Sequence, residues 1–442
     1  MITPQRFRGN PWFYRTNPSS INERYAKAMG KSWLGNQDSK RRLRIKDLPV
    51  MIKADGTIVC IPRQPEQGVT ALIGMPGKGK TLLAGYILDN IFWNWKDYIA
   101  VVNDSQEESF DWSEPCENKD FIKRLAILKQ TPMPLPMIYL FPKMYDAKDD
   151  LVYNKDYVFI SLPFREVINN VEKMLNLGNS EKYLMAKRDE LLKAESEKDI
   201  ISIIESINTG TKGMAEATGK ILASFQELIN EGILNVSDPS VPAYLNVGKY
   251  TGNPFTAIML AECIPAFITS DLYTQKYKDA IFSYYINGLF YESLKGEMKG
   301  KRVWLYFDEL TRVVSADVRY TCPESEKALN NVVARGRNNG ISLIYATQRY
   351  RDIPKSIREL TKYSIVFRHN SKEETKEICD DFGLDSDYRI EILSLKKFEV
   401  MVFTNEHLIC YKRGKTWETS EPQRGYIIPA MHKNRFLQEK KK

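Results

Sequence analysis

The chain has 442 residues, 43% of them hydrophobic, and carries a formal net charge of +8. That length supports two or three domains with real cores, and the modest basic excess is compatible with a nucleic-acid partner without identifying one. Six widely spaced cysteines (Cys60, Cys116, Cys263, Cys322, Cys379, Cys410), no C-x-x-C pair and three histidines argue against a structural zinc site and fit a reducing compartment.

Residues 1–47 form an atypical arm. Aromatics (Phe7, Trp12, Phe13, Tyr14, Trp33) alternate with basic residues (Arg6, Arg8, Arg15, Arg24, Lys40, Arg41, Arg42, Arg44, Lys46). This composition suits phosphate contact with stacking, or the clasping of a neighbouring subunit, and equally a solvated tail. No apolar signal region is present at the start. Leu48–Ile52, the turn Asp55-Gly56 and Thr57–Ile61 predict a hairpin. A strand over Val69–Ile73 and a helix from Leu82 follow, and Tyr98–Val102 predicts a second buried strand ending in Asn103-Asp104. The prolines of residues 131–142 predict a loop or a surface edge, and Tyr157–Ile160 another short strand.

From residue 165 to 250 the pattern becomes helical, with apolar spacing over 180–207 and 214–229, and reads as an all-helical insertion. Strand–helix alternation then resumes. Strands are predicted over Phe255–Leu260, Val303–Phe307, Ile341–Thr347 and Tyr363–Phe367, and helices over 276–294, 324–337 and 372–382. A closing hairpin is predicted from Phe398–Phe403 and His407–Tyr411. The remainder, from Arg413, reads as a polar, disordered tail. The longest membrane-like run, residues 256–268, is broken by Glu262 and Pro265 and is too short to span, so no membrane segment is expected. The expected domains are an arm (1–47), a first core part (48–164), the insertion (165–250), a second core part (251–415) and a tail (416–442). Strands alternating with helices predict an α/β core with a mostly parallel sheet.

Three motifs carry chemistry. Gly74-Met75-Pro76-Gly77-Lys78-Gly79-Lys80-Thr81 stands between the predicted strand and helix, the setting in which G-x-x-x-x-G-K-[ST] cradles phosphates. Glycine turns aim backbone N–H groups at the phosphates. Lys80 would reach the β- and γ-phosphates of ATP or GTP, and the Thr81 hydroxyl would ligate Mg²⁺. Second, the apolar strand Val303–Phe307 ends in Asp308-Glu309. The first acid suits the metal and the second suits activation of the attacking water. Third, a strand over Ile341–Thr347 ends in Gln348, able to contact phosphate or lytic water at the carboxyl end of a sheet. Arg335, Arg337 and Arg349, and more weakly Arg312, are candidates for an arginine acting on a neighbouring subunit's site.

These motifs, with Ile353-Pro354-x-x-Ile357 and the strand Ser364–Phe367 beyond them and Leu48-Pro49-Val50 with Asp55-Gly56 ahead, resemble the FtsK/HerA superfamily of DNA-pumping ATPases. The resemblance covers residues 48–104 and 255–412. It implies a RecA-like P-loop NTPase core, ATP and Mg²⁺ as cofactors, and a hexameric ring with nucleotide at subunit interfaces. It also implies DNA in a central channel, gripped without sequence preference. By position Arg337 matches the family's arginine and Gln348 its sensor glutamine. Met75-Pro76 and Lys78 depart from the usual loop residues, and Pro76 withholds one N–H from the cradle. No HerA-like N-terminal β-barrel fits into residues 1–47. The resemblance implies a DNA translocase that packages or transfers double-stranded DNA for a virus or mobile element, in the host cytoplasm or with a virion. Conjugative transfer, filamentous virion assembly or export, a small-molecule phosphotransferase and a nucleotide-gated scaffold are the alternatives.

Overall fold

The computed structural model describes residues 47–62, 68–95, 98–106, 108–142, 157–160, 162–163, 167–168, 175, 177–194, 197–230, 234–235, 264–268, 283–290, 302–314, 323–336 and 339–433. The first strands are β1 (Leu48–Ile52), β2 (Ile58–Ile61), β3 (Val69–Ile73), β4 (Tyr98–Asp104), β5 (Met137–Pro142) and β6 (Tyr157–Ile160). The two-residue strands β7 (Leu162–Pro163) and β8 (Leu234–Asn235) follow, then β9 (Ile264–Ile268), β10 (Arg302–Phe307), β11 (Ile341–Thr347) and β12 (Thr361–Phe367). The last are β13 (Glu399–Thr404), β14 (Leu408–Lys412), β15 (Lys415–Thr419) and β16 (Gln423–Ile427). The principal helices are α1 (Lys80–Asn94), α2 (Lys119–Ile127), α3 (Glu197–Glu205), α4 (Lys212–Asn230), α5 (Pro323–Arg335), α6 (Lys372–Asp381) and α7 (Ser386–Ser394).

Among the described residues, fourteen strands join in one sheet, ordered β15-β14-β2-β1-β16-β13-β12-β3-β11-β10-β4-β9-β5-β6. From β12 to β6 every pairing is parallel, and from β12 to β15 every pairing is antiparallel. The parallel part follows from sequence. Its central strands are apolar at successive positions, so both faces must be covered. Along β10, Val303, Leu305 and Phe307 enter one cluster, while Trp304 and Tyr306 enter the other. Helices α3, α4, α5, α6 and α7 cover the first face through Ile204, Ile221, Leu329, Ile378 and Ile392. Helix α1 lies on the second face with α2, and its residues from Leu82 to Ile91 are all buried. A helix enclosed on every side explains why its sequence is apolar all round rather than along one stripe.

The predicted hairpin is β1–β2, closed at Gly56, whose φ of 82° is one that glycine adopts freely. Several expectations need correction. Residues 137–142 are a sheet strand, not a loop. Pro136 precedes β5 and its carbonyl accepts the Ile264 amide, while Pro142 closes the strand, so neither proline interrupts the ladder. Strands β13 and β14 do not pair with each other: β13 lies between β12 and β16, and β14 between β2 and β15. The polar tail is ordered well past Arg413. Residues 415–419 form the edge strand β15, and β16 inserts between β1 and β13. Its last described residues fold back onto α1, where Asp89 accepts the Met431 amide at 2.6 Å and faces His432 Nδ1 at 2.9 Å. The stretch 165–250 contains helices at 181–186, 188–191, α3 and α4, but also β8, which pairs with β7; it is therefore not wholly helical. The predicted strand Phe255–Leu260 lies outside the described residues, and the strand seen nearby is β9.

Candidate active site

Lys80 and Thr81 open α1, Asp308 and Glu309 follow β10 and Gln348 follows β11, and the sheet register explains how they meet. Strand β11 is parallel to β3 with Thr347 opposite Ile73, and β10 is parallel to β11 with Phe307 opposite Tyr345. The two motif strands, β3 and β10, are not adjacent: β11 lies between them. Because all three are parallel, their carboxyl ends open at one edge, where loops in such sheets collect ligands.

The glycine loop turns between β3 and α1. Gly74 donates its N–H to Thr347 O at 3.1 Å, and Met75 N donates to Arg368 O at 3.2 Å, so the loop is stitched to the ends of β11 and β12. A Cβ on Gly74 would lie 2.6 Å from Phe367 Cβ; only glycine permits this approach. The Lys80 ammonium is buried and donates to the carbonyls of Gly74 at 2.6 Å and Met75 at 3.2 Å. Burial draws its pKa down, against the opposing pull of Glu309, Asp308 and Glu108. Lys80 holds the Gly74 carbonyl, Gly74 donates to Thr347, and the Thr347 hydroxyl donates to Glu309, so the lysine and that acid share one end of the sheet.

Asp308 follows β10 and is 5% exposed. Its Oδ1 accepts the Tyr306 hydroxyl at 2.9 Å, whereas Oδ2 is buried without a partner. Burial, then the charges of Glu108 and Asp104, push its carboxyl well above the ordinary carboxylate range. Glu309 sits at φ 55°, a left-handed conformation uncommon for a residue with a side chain. Its carboxylate Oε1 accepts from Thr311 Oγ1 at 2.8 Å, from the Gln348 amide at 3.2 Å and from Thr347 Oγ1 at 3.4 Å. The acid is therefore fixed to the end of β11, the strand that carries Gln348.

Not every predicted residue joins this group. Arg335 is exposed in the last turn of α5, before β11 begins, and so stands at the sheet edge opposite its own glycine loop. A seven-residue strand spans about 20 Å, too far for a side chain to return. Arg349 is exposed and pairs with Asp352 at 3.6 Å. Arg312 donates to Ser105 O at 3.3 Å and serves the loop. Arg337 lies outside the described residues.

Two residues at the site escaped the sequence reading. Glu108, in the 3₁₀ turn Glu108–Asp111, has its Oε2 buried without a partner. Its pKa is raised, chiefly by burial, with the neighbouring Thr81 hydroxyl and the Lys80 charge pulling the other way. His369, two residues after β12, is 4% exposed with neither ring nitrogen bonded, and burial together with the Lys80 charge lowers its pKa. The only signal for Glu108 was the polar end of β4, and His369 had none.

The donor set fits Mg²⁺. The Thr81 hydroxyl and the unpartnered Asp308 Oδ2 are hard oxygen donors, and a buried carboxylate oxygen without a partner is costly unless a cation or proton meets it.

No protein-family model matches the chain, and no curated protein sequence does. Solved structures do. VirB4 of Thermoanaerobacter pseudethanolicus is 12% identical, with a TM-score of 0.52 over 88% of this chain and 98% of that one. The likeness is one of fold: this chain shares the architecture of that VirB4 structure. The plasmid coupling protein TrwB in complex with ADP and Mg²⁺ is also 12% identical, with a TM-score of 0.46 over 91% of this chain and 93% of that one. The genome packaging NTPase B204 from Sulfolobus turreted icosahedral virus 2, in complex with AMP, is 10% identical with a TM-score of 0.32 over 81% and 97%. Among the described residues no helix of this fold is long and apolar enough to cross a membrane.

Proposed function

We propose that the chain is an ATP-driven DNA translocase of the kind that packages or transfers DNA for a virus or mobile element. The observation that carries this reading is the meeting of Lys80, Asp308 and Glu309 at one sheet edge, with Glu309 tied to residue 348. Phosphoryl transfer to water asks the protein chiefly for positioning and charge neutralisation.

Backbone amides of residues 77–81 cradle the phosphates, and α1 adds the positive end of its dipole. Lys80 exchanges its two loop carbonyls for β- and γ-phosphate oxygens. Thr81 and Asp308 would hold Mg²⁺, which would neutralise phosphate charge. Glu309 takes the proton of the attacking water, and Gln348, on the same strand end, orients that water or the γ-phosphate. Arg335 or Arg337 reaches the site of a neighbouring copy in a ring, consistent with the placing of Arg335 away from its own site. Loops in the ring channel grip DNA phosphates, so binding is sequence-independent and salt-sensitive.

The test is ATP turnover of the full chain with and without double-stranded DNA, with native mass measured in parallel. Turnover rises with DNA in an assembled oligomer and falls about 10²–10⁴-fold in Glu309→Gln, with ATP binding kept. An oligomer whose turnover ignores DNA removes the translocase reading. Undiminished turnover in Glu309→Gln removes the assigned base.

A further inference from the structure

The segment after β4 is built with more care than a connection requires. Strand β4 pairs in parallel with β10, Asn103 opposite Phe307, so the chain leaves β4 directly beside Asp308. There Asp104, 1% exposed, accepts four hydrogen bonds: from the amides of Gln106 (3.2 Å), Glu108 (3.1 Å) and Ser109 (2.8 Å), and from Ser109 Oγ (2.5 Å). One buried carboxylate thus winds residues 104–109 into a fixed turn that starts the 3₁₀ helix. Ser105 Oγ donates to Asp308 O at 2.7 Å and Arg312 donates to Ser105 O, which fastens this turn to the loop carrying the two acids.

The product of this scaffolding is the position of Glu108. Its Oε2 is buried and unpartnered, as Asp308 Oδ2 is. Two orphaned carboxylate oxygens therefore stand on the two loops that Ser105 ties together. Lys80, whose charge acts on both acids, is turned to the carbonyls of Gly74 and Met75. Leaving such oxygens unmet is expensive in a buried site. A small divalent cation would meet both, and magnesium sites commonly use one or two carboxylates with phosphates and waters.

We propose that Glu108 is a further ligand of the divalent cation at this site, standing with Thr81 and Asp308. The proposal rests on the nucleotide-site reading given above. It makes the site richer in negative charge than a threonine and one aspartate would be, so that it takes up a cation before nucleotide arrives.

Mn²⁺ is the probe, its free concentration followed by electron paramagnetic resonance in titrations of the full chain, with and without a non-hydrolysable ATP analogue. Glu108→Gln weakens Mn²⁺ binding at least tenfold in both arms. Glu108→Asp, which keeps the charge on a shorter stem, recovers part of the loss, and Asp111→Asn, on the same 3₁₀ helix, leaves binding unchanged. Analogue binding in EDTA is equal in wild type and Glu108→Gln. Mn²⁺ affinity within twofold of wild type in Glu108→Gln overturns the proposal, as does equal weakening by Asp111→Asn. Should the analogue fail to bind wild type, the nucleotide reading falls, while the nucleotide-free arm still decides whether Glu108 holds a cation.

Discussion

At Gly79 the backbone sits at φ 114°, and a Cβ there would stand 2.8 Å from Ile427 Cδ1 and 2.9 Å from Phe398 Cδ1. The floor under the nucleotide loop is therefore made by residues of β16 and of the β13 entry. Gly79→Ala is expected to cost about 2–4 kcal/mol, from left-handed strain plus overpacking, in urea unfolding without nucleotide. A change below 0.5 kcal/mol would show that the floor yields. At this scale Lys80, Thr81, Asp308 and Glu309 were legible because motif and strand pattern place them without knowledge of their neighbours. Glu108 was not, since its position depends on a turn that Asp104 organises through backbone amides, and one acid among several in Gln106–Asp111 carries no mark. His369 stayed hidden for a like reason: only strand pairing brings the end of β12 to the glycine loop.

The element whose placement differs most from expectation is β16. Its sequence, Gln423–Ile427, is polar, short and broken by Gly425, and yet it pairs on both sides. Pattern reading finds strands that bury both faces, such as β10 and β11, and misses those whose stability comes from partners far away in sequence. Arg424 secures β16 to β13 by a two-pronged pair with Glu399, at 3.0 and 3.1 Å. Burial pushes the Glu399 carboxyl up, but the hydrogen bonds from Arg424 and the Lys396 amide, with the charges of both residues, together hold it below the ordinary value. A depressed folded value means that the stabilisation is present above the unfolded value, about 4.3, and is lost as pH falls through the folded one. Arg424→Gln should therefore cost about 1 kcal/mol near neutral pH, since the pair is partly solvated, and progressively less below pH 4.3. Urea unfolding of both proteins from pH 7 to 3 checks this. A difference that does not shrink on acidification rules out the pair as its source.

In the whole molecule one sheet serves both as the scaffold of the site and as a spacer. The strand that delivers Gln348 at one edge begins near Arg335 at the other, so a single copy cannot bring that arginine to its own nucleotide loop. Mixing inactive Lys80→Ala protein with inactive Arg335→Ala/Arg337→Ala protein should then restore ATP turnover above the sum of the two alone. Turnover no greater than that sum argues against sharing between copies.

The insertion of β16 also sets an order of events during synthesis. Lys53 and Gln423, whose side chains bond at 3.0 Å across β1 and β16, are 370 residues apart. At roughly 5–20 residues per second a ribosome needs about 20–70 s to travel between them. For that time the nascent β1 keeps an unpaired edge, and Gly79 lacks the Ile427 contact beneath it. The nucleotide cradle is finished late in translation, long after its own residues have emerged.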